Sequence, residues 1–215
     1  MTYWFTADPH YGHDNIRKYC DRPFDNVHEM NEALVANHNS VVGVNDHVFF
    51  EGDFAFRTST GRAIELLKRL NGKKYFIAGN HDKTLFRRDD DFKIVVRPEI
   101  EYYVEWVKDY HELTIQDKSV KRGKTMIVLS HYSHRVWNKS HWGSWMLYGH
   151  SHGSLPEDPS ALSIDVGVDA VAKRYATDGV VNPEDYRPIC YEEIKVIMDL
   201  KSNAQVDHHS PRLSE

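Results

Sequence analysis

Five times along this chain a short apolar, β-prone run stops at an aspartate, an asparagine or a histidine, and in four of the five a glycine or proline stands beside it. The runs are residues 3–7 before Asp8-Pro9-His10, 47–51 before Gly52-Asp53, 74–78 before Gly79-Asn80-His81-Asp82, 125–129 before Ser130-His131, and 145–148 before Gly149-His150-Ser151-His152-Gly153. Such runs read as buried strands. In open α/β sheets, ligands bind where strands end. The pattern therefore constrains fold and site together: strands that deliver polar, metal-ligating side chains to one edge of a sheet.

Between the first three runs lie two stretches with helical spacing. Residues 28–41 place Met30, Leu34 and Val41 on one side, and residues 60–70 place Ala63, Ile64, Leu66, Leu67 and Leu70. Strand, helix and strand in alternation predict parallel pairing with crossover helices. Further on, residues 100–107, 111–116 and 125–129 are β-prone, with Lys121-Arg122-Gly123-Lys124 as a turn, so hairpins are expected there. Residues 145–148 and 161–168 read as two more strands, and 191–200 as either a strand or a helix.

The whole chain bounds the answer. At 215 residues, 40% of them hydrophobic, it suffices for one domain with a sizeable core, expected over 1–202, with a polar, flexible tail over 203–215. A formal charge of −5 argues against a protein that coats long duplex nucleic acid. There is no leader-like start and no run of the ~18 apolar residues that spanning a bilayer needs, so no membrane role is expected. Cys20 and Cys190 stand far apart in no ligand spacing, which suits a reducing, cytoplasmic setting.

Taken singly, each motif has a bland reading. Asp-Pro and Gly-Asp are common turns, and a single histidine is more often structural than a ligand. Placement adds weight. If the strand continues past Asp8, then Asp8 and His10, at i and i+2, project to the same side, and Pro9 favours an extended Asp8. His150 and His152 repeat that spacing between glycines. Asp53, with two carboxylate oxygens, can bridge two cations. Asn80 offers a neutral oxygen, while the adjacent His81 points elsewhere and is free for acid–base work. Mixed imidazole, carboxylate and amide donors suit Mn²⁺, Fe, Zn²⁺ or Ni²⁺ better than Ca²⁺ or Mg²⁺, with Mn²⁺ favoured.

Together, and in this order, the five segments resemble the calcineurin-like metallophosphoesterase family, whose pattern runs D-x-H, G-D, G-N-H-D/E, H and G-H-x-H. The resemblance covers about residues 4–153. It implies a four-layer αββα fold, two mixed β-sheets packed as a sandwich and flanked by helices, and two divalent metals per chain. Asp8, His10, Asp53 and His152 would hold one metal, and Asp53, Asn80, His131 and His150 the other. His81 would contact the phosphate and protonate the leaving group, with Asp82 orienting its ring. Water activated between the metals would hydrolyse a phosphodiester or phosphomonoester, the diester being favoured.

Residues 10–24, together with Ser163-Ile-Asp-Val-Gly-Val-Asp169, look like those of a subgroup of small prokaryotic and phage phosphoesterases, which makes His13, Asn15 and Arg22 candidates for contact with substrate phosphate. In 132–142, Arg135 is a candidate for the same role, and Trp137 or Trp142 could stack on a base, so a nucleotide or cyclic nucleotide is the expected substrate class. The alternatives are a catalytically silent scaffold on the same fold and a purely structural metal protein. The filled His81 position argues against the scaffold.

Overall fold

The alternation of side chains along three central strands decides the architecture. In order, the elements of the computed structural model are β1 (Tyr3–Thr6), α1 (Asp14–Tyr19), α2 (Val27–Val41), β2 (His47–Glu51), α3 (Thr60–Arg69), β3 (Lys73–Ile77), β4 (Phe86–Arg88), β5 (Ile94–Val96), β6 (Trp106–Lys108), β7 (Tyr110–Gln116), β8 (Lys124–Ser130), β9 (Trp145–Tyr148), β10 (Ser163–Asp165), α4 (Val168–Tyr175), β11 (Ile189–Cys190) and α5 (Tyr191–Asp199). The structure describes residues 1–204 and 206, so most of the expected tail lies outside the described residues.

Successive residues of a strand face opposite sides. Val48 and Phe50 of β2 and Phe76 of β3 join one buried cluster with Met30 and Leu34 of α2 and Leu66 and Leu67 of α3. Phe5, Phe49 and Ile77 face the other way, into a second cluster with Ile127 and Leu129 of β8 and Leu147 of β9. Two sheets thus share an inner core, and helices cover the outside of the first.

The first sheet runs β11-β1-β2-β3-β6 and the second β10-β9-β8-β7; β4 and β5 form a separate hairpin. Strands β1, β2, β3 and β6 are parallel, with β11 antiparallel at the edge; β8, β9 and β10 are parallel, with β7 antiparallel. The fold is therefore a sandwich of two mixed sheets flanked by helices. Parallel strands end together, so the loops after β1, β2, β3, β8 and β9 gather at one edge.

Several expectations change. Residues 101–103 form a 3₁₀ turn, leaving only β6 as strand in 100–107. In 161–168 the strand stops at Asp165, and Val168 opens α4. Residues 191–199 are helical because Glu193 turns back to accept the Cys190 N–H at 2.9 Å, capping α5. The short α1, β4, β5 and β11 carry too little periodicity to be read from sequence.

Candidate metal centre

Five of the seven proposed ligands sit in the left-handed backbone region: Asp8, His10, Asp53, His150 and His152 have φ of 56°, 51°, 53°, 68° and 50°. The expected strand-like projection of Asp8 and His10 is thereby corrected. Proline bars the preceding residue from the right-handed helical region, and Asp8 takes the left-handed one instead of extending. Non-glycine residues hold this conformation at a cost of order 1–3 kcal/mol each, met by surrounding structure. Here the loops hydrogen-bond to each other: Asp8 N–H to Gly52 C=O at 3.0 Å, His10 N–H to Asp53 C=O at 3.1 Å, and Tyr11 N–H to Phe54 C=O at 2.9 Å.

Ligand-capable atoms of Asp8, His10 and His152 lie within 4.8 Å of one another, as do those of Asp53, His131 and His150. Asp53 stands between the groups. Its Oδ2 is 3.5 Å from His10 Nε2, 3.6 Å from His131 Nε2 and 4.0 Å from His81 Nε2, while its Oδ1 accepts the His81 N–H at 2.8 Å. The Asn80 carbonyl oxygen reaches His131 Nε2 at 3.0 Å.

Imidazole tautomers are set from behind. His131 Nδ1 donates to the Glu51 carbonyl at 2.8 Å, and His152 Nδ1 pairs with Asp169 Oδ2 at 2.7 Å, so each leaves Nε2 for the site. Asp8 Oδ1 and both ring nitrogens of His10 are buried without a hydrogen-bond partner. Burial without a partner is costly unless a cation takes the lone pairs. These orphaned atoms, together with the donor set, fit a metal.

Electrostatics agree with that fit. Burial pushes the Asp8 carboxyl well above its usual range, and burial with neighbouring cationic groups pushes His10 down to about 2, so its imidazole is neutral. His152 goes the other way: burial opposes its charge, yet the Asp169 hydrogen bond and the Asp8 carboxylate hold it up at about 10. The negative potential that retains a proton there would equally retain a metal cation.

The expected role of Asp82 is corrected. Asp82 is buried; its Oδ2 accepts the N–H groups of Asp53 and Gly79 at 2.9 and 2.8 Å, and its Oδ1 that of Phe54 at 2.8 Å. It staples the β2 and β3 loops together and does not orient the His81 ring. That ring is partly exposed at the cleft, edge-on to Phe56 with centroids 4.7 Å apart.

Arg22 is also corrected. Its side chain is 0% exposed. Nε and Nη2 each donate to Asp169 at 2.8 Å, Nη1 to Pro9 C=O at 2.9 Å and Nη2 to Asp8 C=O at 2.8 Å. A guanidinium so engaged cannot reach a substrate phosphate; it supports the Asp8 loop and the Asp169–His152 pair.

The segment 163–169 stands out in the sequence, but the roles of Asp165 and Asp169 do not. Asp165 accepts Ser151 Oγ–H at 2.8 Å, Gly153 N–H at 2.9 Å and Gly167 N–H at 2.7 Å, shaping the loop that carries His150 and His152. The available signal was another strand end, Ser163-Ile-Asp165, closing on an acidic residue like the others.

The cleft above the ligands has a volume of about 1040 Å³, and His13, Asn15, Phe56, Arg57 and Tyr132 line it. Arg135 lines a separate pocket. Trp137 is buried, its indole N–H donating to Ser144 C=O at 3.1 Å, and Trp142 lines a different cavity, so neither stacks on a base in the cleft.

Comparison with known proteins is consistent with this geometry. A family model for calcineurin-like phosphoesterases matches residues 1–154. An uncharacterized protein of Methanocaldococcus jannaschii is 49% identical over 81 residues, 37% of this chain and 46% of that protein, so this chain spans less than half of that relative's length. The gene 66 protein of Mycobacterium phage L5 is 27% identical over 193 residues, covering 82% of this chain and 91% of the phage protein. The crystal structure of AQ665 from Aquifex aeolicus, a protein of unknown function, aligns at a TM-score of 0.57 with 18% identity, covering 91% of this chain and 98% of that one, a likeness of fold alone.

Proposed function

The chain belongs to the calcineurin-like phosphoesterase family, and from that premise we propose that it hydrolyses a phosphoester of a small nucleotide-type substrate, a diester in preference to a monoester, using two divalent metals. The observation that carries this reading is the place of Asp53, whose Oδ2 lies 3.5 Å from His10 Nε2 on one side and 3.6 Å from His131 Nε2 on the other.

Asp8, His10 and His152 would hold one metal, Asn80, His131 and His150 the second, and Asp53 both. When bound, such a pair polarises a phosphoryl group and makes water nucleophilic at neutral pH. The chain's own groups do the rest. Asp169 keeps the His152 proton on Nδ1, and the Glu51 carbonyl does the same for His131. His81, at the cleft and within 4.0 Å of Asp53, is poised to give a proton to the leaving oxygen. His13 and Asn15 on the cleft wall remain proposed substrate contacts. A cytoplasmic setting is part of the proposal and is supported by two free thiols.

The test is a Mn²⁺-supplemented screen of mono- and diester nucleotides, with chelated protein and Asp53→Asn as controls. Chelation should abolish activity and Mn²⁺ restore it. Full hydrolysis of an aryl phosphodiester by metal-free protein would refute the proposal.

A further inference from the structure

The second sheet carries its ligand loops at one end and a different feature at the other. There the β7–β8 turn, the start of β8 and the segment leading into β9 enclose a second cavity of about 490 Å³. Lys121, Arg122, Lys124 and Lys139 line it against one carboxylate, Asp199. Trp142 stands in its wall and is 59% exposed. Among the described residues none of the four cations makes an ion pair within 4.0 Å. Arg122 Nη1 donates to the Trp142 carbonyl at 3.0 Å, which ties the indole segment to the basic turn and leaves most of the guanidinium fork unused.

In a chain of net charge −5 this concentration of cations is local rather than general. Four like charges around one cavity repel each other unless an anion enters, and a concave wall focuses their field. The indole adds a largely exposed aromatic ring, with the His141 ring against it at a centroid distance of 5.1 Å. A ligand that answers both features carries several negative charges on one side and an aromatic ring on the other, which is the chemistry of a nucleoside phosphate.

We propose that this cavity is a second, non-catalytic site that binds a nucleoside phosphate, either as a free nucleotide or as a residue of a single strand. The seven residues of β8, at about 3.3 Å each, separate it by roughly 20 Å from His131, so it does not depend on what the metal centre does. Trp142 would stack on the base, and Lys121, Arg122, Lys124 and Lys139 would meet the phosphates.

The experiment is calorimetric titration of the full chain, in chelator and low salt, with ATP, with inorganic tripolyphosphate and with a short single-stranded oligonucleotide. Circular dichroism checks the fold of each variant. Saturable binding of ATP, the oligonucleotide or both is expected. Trp142→Ala should weaken it about tenfold or more while leaving tripolyphosphate unchanged. Lys121→Glu/Lys124→Glu should abolish it, and Asp53→Asn should not alter it. ATP binding alone assigns the site to free nucleotides, and oligonucleotide binding alone assigns it to a strand. Tripolyphosphate binding as tightly as ATP overturns the nucleoside assignment. Absence of saturable binding overturns the site, as does binding that both cavity variants leave intact or that Asp53→Asn removes.

Discussion

Asp53 and His81 are separated by one hydrogen bond, His81 N–H to Asp53 Oδ1 at 2.8 Å, yet their expected losses differ. On the proposal that Asp53 serves both metals, Asp53→Asn should leave both depleted in metal analysis. His81→Ala should keep metal content near wild type while turnover falls by ~10²–10⁴-fold, the usual contribution of a general acid. Equal metal depletion in both variants would contradict this division of roles. Arg22 makes a different prediction. With Arg22→Met, the buried Asp169 keeps only its His152 bond, so the loss should fall at or below the low end of the about 3–5 kcal/mol that removing one member of a buried pair costs. Urea unfolding should show that loss. A raised KM with unchanged stability would instead return Arg22 to the substrate. That the ligand-capable side chains gather at one edge was legible in sequence, because each follows an apolar strand. The roles of Arg22 and Asp169 were not legible, because they meet across 147 residues and no local pattern announces the pair.

At the scale of elements, the site depends on how closely the strand-end loops approach. A Cβ on Gly79 would lie 2.3 Å from both Asp53 N and Asp53 Oδ1, and one on Gly52 would lie 2.4 Å from His131 Nδ1. Gly79→Ala should therefore push Asp53 aside. Metal content should drop, and because Asp82 bonds the same backbone groups, the thermal midpoint should fall too. Unchanged metal content and midpoint would show that the β3 loop yields freely. The boundaries of β2 and β9 follow directly from the sequence because apolar runs meet a glycine there. Elsewhere the pattern misleads: Val168 and Val171 favour strand by type, yet they open α4, where Val168 joins the outer core and Val171 the inner one. The six-residue α1 buries only Ile16, too little to leave a period.

For the whole molecule, one contribution to acid stability comes from a group remote from the candidate metal centre. No helix among the described residues is long and apolar enough to cross a membrane. His38 of α2 is 3% exposed, its Nε2 donating to the Asn71 carbonyl at 3.0 Å. Burial, reinforced by Lys74 and only partly opposed by that carbonyl, lowers its pKa to about 4. The unfolded chain takes up the proton near pH 6.5. Between the two values the unfolded state binds more protons, so stability falls as pH drops from about 6.5 to 4, by about 3 kcal/mol at most. Glu193 acts lower on the scale. Burial raises it, but Arg187, the Cys190 N–H and the Tyr175 hydroxyl outweigh that and hold it at about 2. Its contribution is therefore complete above about pH 4.3 and disappears as pH falls toward 2. The windows barely overlap, which allows a clean test. In His38→Gln the amide can still donate to Asn71 but cannot take a proton. Its unfolding free energy, measured from pH 7 to 4 at matched metal content, should decline less than that of wild type by about 2–3 kcal/mol, with the same decline below pH 4. Parallel curves from pH 7 to 4 would mean that His38 is not the group that sets the first acid step.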